Sequence, residues 1–234
     1  MSFLINPYRF ASTGDPDWAS VGLLLHCDGT DASTTFTDET GKTVTANGDA
    51  QIDTAQSKFG GASALFDGAT DWLESAKSTD LEFGTGDFTI ECFARLTSTA
   101  SAQALFSYGK LTVVGNTDYA YALTHTPANG LVWAANDSGG AQTSIVTSNS
   151  MTVNTWHFIQ VIRSSGTTKI YKDGTEIGSG ADTKNYNTSA SHLQLVGRRG
   201  SFSVAYWDGW IDELRITKGV VRSTTVPTAA FPGS

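Results

Sequence analysis

Phe88-Thr89-Ile90-Glu91-Cys92-Phe93-Ala94-Arg95-Leu96 reads as a β-strand with two distinct sides. Alternation puts Phe88, Ile90, Cys92, Ala94 and Leu96 on one face and Thr89, Glu91, Phe93 and Arg95 on the other, so the first set is predicted to face a core. The surrounding chain repeats this pattern. From Val21 onward, short aromatic and β-branched runs are separated by Gly, Asp, Asn and Ser clusters, which is the pattern of an antiparallel sandwich.

Strands are predicted at Val21–His26, Gly61–Phe66, Trp72–Ser75, Phe88–Leu96, Ala104–Tyr108, Leu111–Val114, Tyr119–His125, Gly130–Ala135, Thr143–Ser148, Trp156–Ser164, Thr168–Lys172, Thr175–Gly178, His192–Gly197 and Gly209–Thr217. No segment carries a 3.6-residue apolar period. Asp173-Gly174 between two of these runs predicts a two-residue hairpin, because both central residues must accept positive φ. Trp156 to Gly178 then forms a three-stranded meander.

Composition agrees. Of 234 residues, 80 are Gly, Ser or Thr, a mixture that favours strands and turns over helices. A chain of this length can bury one substantial core, so we expect a single domain at residues 21–221, an N-terminal arm at 1–20 and a C-terminal tail at 222–234. The net charge is -8, with residues 1–117 contributing -9 and residues 118–234 contributing +1. An acidic surface repels phosphate backbones and argues against nucleic-acid partners. No window reaches the ~18 apolar residues of a membrane span, and the first residues lack the basic and apolar regions of a secretory signal. Cys27 and Cys92 both fall in apolar runs and are expected as buried free thiols.

Several ordered pieces resemble the concanavalin A-like, laminin-G-like jelly rolls of tailed-bacteriophage virion proteins. They are Leu23-Leu24-Leu25-His26-Cys27-Asp28-Gly29, Lys58 to Gly68, Gly86 to Glu91, Trp156 to Ile159 with Tyr171 to Gly174, and Gly209 to Gly219. The resemblance spans residues 21 to 226 and implies an all-β, two-sheet antiparallel jelly roll. The opening Ile5-Asn6-Pro7-Tyr8-Arg9-Phe10 is similar to leaders of phage proteins that carry this domain. That likeness implies a non-enzymatic structural protein on the outer virion surface, as capsid decoration, head fibre or tail-associated protein, made in the host cytoplasm without a signal peptide. Its partners would be other virion proteins, capsid or tail, and further copies of itself in a symmetric oligomer. The alternative is an adhesin that binds host-surface glycans. Phe3, Leu4, Ile5, Tyr8 and Phe10 of the arm are the candidate partner-docking residues.

Glycanases of this fold resemble one another in setting acids alternately along one strand, so that one carboxylate attacks and another protonates the leaving group. No such spacing occurs. Asp212 and Glu213 are adjacent and should point to opposite faces, one of them to solvent. The four histidines are scattered, which leaves no zinc pattern. Calcium is the one cofactor the acids could hold: the jelly roll implied by the resemblance sets its first and last strands side by side, bringing Asp28 towards Asp212. The alternative is that both aspartates bond backbone amides in turns.

Sugar binding needs exposed aromatic faces with polar groups at their rim. The predicted glycan contacts are Asn116, Asp118 and Tyr119, with Asn136 and Asp137 in a neighbouring loop. Trp207 and Trp210 are expected to be structural. Arg198, Arg199, Arg215, Lys218 and Arg222 form a basic cluster that is either a solvated face or a dock for an acidic patch on a neighbouring subunit. An echo, aromatic-Asp-Gly-x-x-Asp, recurs at Phe66 to Asp71 and at Trp207 to Asp212.

Overall fold

The computed structural model describes residues 14–110, 119–137, 140–186, 192–199 and 205–234, which form two antiparallel sheets. One sheet runs β13 (Thr175–Ala181), β12 (Thr167–Lys172), β11 (His157–Ser164), β6 (Phe88–Leu96), β17 (Asp208–Lys218), β4 (Ser63–Asp67), β3 (Gln51–Asp53), with β1 (Val21–Leu25) also paired to β17. The other runs β10 (Gln142–Val146), β9 (Gly130–Asn136), β8 (Tyr119–Thr126), β7 (Gln103–Gly109), β14 (Leu193–Val196), β5 (Trp72–Ser75), β2 (Val44–Asn47). A small hairpin, β15 (Arg198–Arg199) with β16 (Ala205–Tyr206), lies apart from both.

β5 and β6 coincide residue for residue with the predicted strands, and the meander forms as β11-β12-β13 with Asp173 and Gly174 at φ 51° and 78°. β2 and β3 were not predicted. They are short sheet edges, and Gln51-Ile52-Asp53 offers one apolar residue, too little to show alternation. The predicted strand at Leu111–Val114 and the docking residues Phe3, Leu4, Ile5, Tyr8 and Phe10 lie outside the described residues.

The core lies between the sheets. Phe88, Ile90, Cys92, Ala94 and Leu96 are fully buried there, as the alternation required, and both cysteines are free and buried. Phe83 stacks on Phe88 at 4.2 Å and on Tyr121 at 5.0 Å, while Trp133 stacks on Tyr121 at 5.5 Å. The two echo segments pair with each other, Asp208 opposite Asp67 and Gly209 opposite Phe66. Each ends on a buried aspartate that accepts two loop amides: Asp71 from Asp49 and Asp67, and Asp212 from Lys58 and Phe59.

The opposite face of β6 is buried as well. Thr89, Glu91 and Phe93 are at most 2% exposed, because residues 14–20 and the C-terminal strap cover the outer face of the eight-stranded sheet. Phe231 of the strap packs in a cluster with Val21, Leu24, Phe93 and Phe158, against which Trp18 also packs. Burying Glu91 requires partners, since an unpaired buried charge is strongly destabilising. Arg215 supplies them, donating from Nε and Nη2 to Glu91 Oε1 at 2.8 and 2.7 Å and from Nη1 to Asp15 Oδ2 at 2.8 Å. Arg222 donates to Asp15 Oδ1 at 3.1 Å, and Gln160 joins Glu91 to the Ser223 carbonyl. Burial alone would raise the Asp15 carboxyl, but the Arg222 hydrogen bond, the Asp17 amide and the two guanidinium charges hold it below the ordinary carboxylate range.

This network divides the basic cluster read from the sequence. Arg215 and Arg222 are neutralised inside the chain, Lys218 donates to the Thr79 carbonyl, and Arg198 and Arg199 belong to the separate hairpin. The five side chains do not form one surface. The tail at 222–234 folds back on its own domain, and Asp15 N donates to the Gly233 carbonyl at 2.8 Å.

Phe231→Ala should detach the strap. We expect a loss of about 3 kcal/mol in denaturant unfolding, together with faster amide hydrogen exchange across residues 221–232. Unchanged exchange there would show that Phe231 does not anchor it.

Candidate functional site

Two places bring chemistry-bearing residues together. The first is the junction of β1 and β17, where Leu25 opposite Leu214 brings His26, Cys27 and Asp28 to Asp212 and Glu213. A regular pleat would send one of Asp212 and Glu213 to solvent, but both are fully buried. The cause is a bulge: the register of β17 on β6 shifts between Asp212 and Arg215, and Glu213 takes φ 52°. Glu213 is committed on both oxygens, to His26 Nδ1 at 2.8 Å and to the Phe231 amide at 2.8 Å. Asp212 Oδ2 accepts from the Lys58 and Phe59 amides at 2.7 and 3.2 Å, while Oδ1 is buried without a partner.

Burial pushes the Asp212 carboxyl up to about 7, against the pull of those two amides and with the help of the charges on Glu213 and Asp28. The hydrogen bond to Glu213 raises His26, against desolvation. Asp28 remains exposed. Calcium takes six to eight oxygen ligands. Here Glu213 is fully used, Asp212 is half used, and among the described residues no group of three or more His, Cys, Asp or Glu side chains could hold an ion. The donor set does not fit calcium. The buried acids also leave no carboxylate pair flanking an open groove. This corner joins strands and clasps the strap.

The second place is the outer face of the seven-stranded sheet. Register places Glu74, Leu195, Ser107, Ala122, Ala134 and Ser144 side by side in one row across it. Ser107, Ala122 and Ala134 make a floor of small side chains, all buried. Over it folds the β15–β16 hairpin, pinned by Ser107 Oγ donating to the Arg198 carbonyl at 3.0 Å. Gly197 permits the fold-back: its φ is 76°, and a Cβ there would sit 2.5 Å from the Phe66 ring. The Trp207 amide closes the excursion on the Gly197 carbonyl at 2.8 Å.

At one end of this face Trp72 and Tyr206, both half-buried, lie 6.3 Å apart with the Arg198 guanidinium over both, 4.3 and 5.3 Å from their ring centroids. The Trp72 indole donates to Glu74 Oε2 at 3.0 Å, which fixes its plane. Arg199 lies 5.9 Å from the Tyr119 ring.

Of the predicted glycan contacts, Asn116 and Asp118 lie outside the described residues. Tyr119 does reach this face, but its ring is 2% exposed and its hydroxyl accepts from Gln142 Nε2 at 2.7 Å. Asn136 is buried too and donates to the Tyr119 carbonyl, and Asp137 shapes its own loop by accepting the Ala141 amide. These three side chains build the wall of the face and do not present a ring for stacking. Trp72 and Tyr206 do present rings, which sequence reading did not find for Trp72. Its signal was its place one residue before core Leu73 on an alternating strand, which sends it outward. Trp207 is fully buried, and Trp210, half-buried like Trp72, sits on the other sheet with its indole bonded to Asp53.

A two-sheet antiparallel jelly roll whose outer sheet face carries aromatic side chains defines a lectin-type sandwich. The chain belongs to the laminin-G-type family of the Concanavalin A-like lectin/glucanases superfamily, whose model matches residues 67–226. Comparison with curated proteins finds no matching relative. Among solved structures, domain 4 of AbnA, a GH43 extracellular arabinanase from Geobacillus stearothermophilus solved with arabinotriose, is 18% identical with a TM-score of 0.64, covering 87% of this chain and 94% of that one. The binding domain of Paraclostridial Mosquitocidal Protein 1 is 18% identical with a TM-score of 0.60, covering 87% of this chain and 50% of that one. The receptor binding domain of botulinum neurotoxin C/D mosaic serotype is 14% identical with a TM-score of 0.63, covering 87% and 49%. This chain thus spans about half the length of the two toxin domains. Two of these structures are binding domains and the third is one domain of an arabinanase, and the likeness establishes a lectin-like fold.

The junction should leave a pH signature. Because Asp212 is raised in the folded chain, its contribution to stability is full below its ordinary 3.8 and is lost as pH rises through about 7. Raised His26 acts in the same direction, its share being full below 6.5 and lost as pH climbs through its raised value. Denaturant unfolding should therefore show stability falling between about pH 4 and about pH 8, by at most about 4 kcal/mol from Asp212. Asp212→Asn should flatten that fall, and an unchanged slope would remove Asp212 as its source. Separately, chelation of divalent cations should leave the melting temperature unmoved; a drop of several degrees would restore a metal to this corner.

Proposed function

We propose that this chain is a non-catalytic carbohydrate-recognition module that binds glycans on the outer face of its seven-stranded sheet. One observation carries the reading: Trp72 and Tyr206 are held half-exposed at the end of a floor of small side chains, with Glu74 and Arg198 at their rim. Rings so placed can cover the apolar face of a pyranose while polar neighbours meet its hydroxyls. The superfamily and the arabinotriose-bound AbnA domain support this reading. Glycan hydrolysis finds no support, since Asp212 and Glu213 are buried and bonded within the chain.

As its setting we propose the outer surface of a tailed-phage virion, where the module would meet host glycans. The leader at Ile5 to Phe10 supports this through its resemblance to phage leaders. The exit of the arm fits such a display. Residues 14 and 15 lie against residues 233 and 234 and the buried ion network on the eight-stranded side, so an arm bound to a virion partner would leave the seven-stranded face pointing away.

A glycan array probed with the purified chain is the test. We expect a defined set of glycans to bind and to be recovered uncleaved, with Trp72→Ala weakening them at least tenfold at an unchanged melting temperature. A featureless array, or cleavage of the bound glycans, would overturn the reading.

A further inference from the structure

The arginines of this acidic chain are not treated alike. Arg215 and Arg222 meet Asp15 and Glu91, Arg163 donates to the carbonyls of Gly84, Gly86 and Lys184, and Arg95 donates to Asn154. Arg198 and Arg199 differ. Among the described residues neither guanidinium donates a hydrogen bond or lies within 4 Å of a carboxylate, and the Nε of each is buried without a partner. Arg198 is only 8% exposed, and among the described residues its guanidinium is met by aromatic rings, Trp72 at 4.3 Å and Tyr206 at 5.3 Å. Cation–π contact offsets part of the cost of burying a charge but satisfies no N–H. Glu74 is the acid on the neighbouring strand, and it is occupied by the Trp72 indole.

Among the described residues Arg198 is a nearly buried cation without a counter-ion, set against two half-exposed rings, and this is half of a recognition site, whereas Arg199 turns the other way, towards Tyr119. From this arrangement we infer that the module's ligand is a carboxylated saccharide, a glycan containing uronic or sialic acid. Its carboxylate would meet Arg198, and its ring would lie against Trp72 and Tyr206. The inference rests on the glycan-binding reading and adds the substrate class. The planar donors of arginine match a carboxylate in paired, charge-assisted hydrogen bonds. The rings select for a sugar over a free anion, and the net charge of -8 disfavours polyphosphates. A concavity of about 440 Å³ beside the strap is lined in part by Glu91, Arg215 and Arg222, whose charges already satisfy each other and Asp15.

The experiment is calorimetric titration of the intact chain with uronic-acid oligosaccharides and a sialylated trisaccharide, each beside its carboxyl-reduced, neutral counterpart. We expect at least one acidic sugar to bind at least tenfold more tightly than its reduced form, with affinity falling as salt rises. Arg198→Gln should erase that preference while the folded chain keeps any weak binding of the neutral form, and Arg198→Lys should restore it only in part. Arg199→Gln, on the side of Tyr119, should leave the preference in place. Equal binding of acidic and reduced sugars, or a preference that survives Arg198→Gln in a folded chain, would overturn the inference and leave glycan recognition standing. Failure of every sugar on a folded chain would overturn both.

Discussion

The pairing of β17 with β6 is the constraint on which the rest of the structure depends. It joins residues 208–218 to residues 88–96, and β17 in turn carries β4 and β1, so the first and last strands are held by one element. Closing so long a loop costs chain entropy that many contacts must offset. Here β6 is buried on both faces, its inner side against the second sheet and its outer side beneath the strap. The apolar inner residues need only packing. Glu91 on the outer side needs Arg215 and Gln160, and Arg215 brings Asp15 and Arg222 with it, so the chain's two ends are tied to its central strands by charge.

The bulge at Glu213 belongs to the same constraint. By turning Glu213 and Asp212 inward together, it lets one carboxylate hold the strap through the Phe231 amide and the other hold the loop at Lys58 and Phe59. Acids that could have served chemistry are used for closure. With the eight-stranded side covered in this way, the open chemistry falls to the other sheet, where the hairpin lays Arg198 and Tyr206 beside Trp72.

Much of this architecture was legible in the sequence. Period-two alternation located β5 and β6 residue for residue, and Asp173-Gly174 announced its hairpin, because these signals are local. The burial of Thr89, Glu91 and Phe93 was not legible, since it depends on a strap some 130 residues away and a salt-bridge partner brought in by pairing. The inward turn of both Asp212 and Glu213 was missed for a related reason: alternation assumes a regular pleat, and a bulge is set by neighbouring strands. The site was half legible. Tyr119 and Asn136, expected as glycan contacts, are buried wall, while Trp72 and the isolation of Arg198 from acids among the described residues emerge only when β5, β14 and the hairpin are brought together.

The six tryptophans provide a direct map for the central claim. Trp133 and Trp207 are in the core, Trp18, Trp156 and Trp210 are on the eight-stranded side, and Trp72 alone is on the outer face of the seven-stranded sheet. Indole N–H resonances followed by NMR during titration with a bound glycan would locate the contact. The account predicts that Trp72 shifts while Trp18, Trp156 and Trp210 stay fixed. Shifts at Trp18 or Trp156 with Trp72 silent would place recognition on the other side of the sandwich and contradict it.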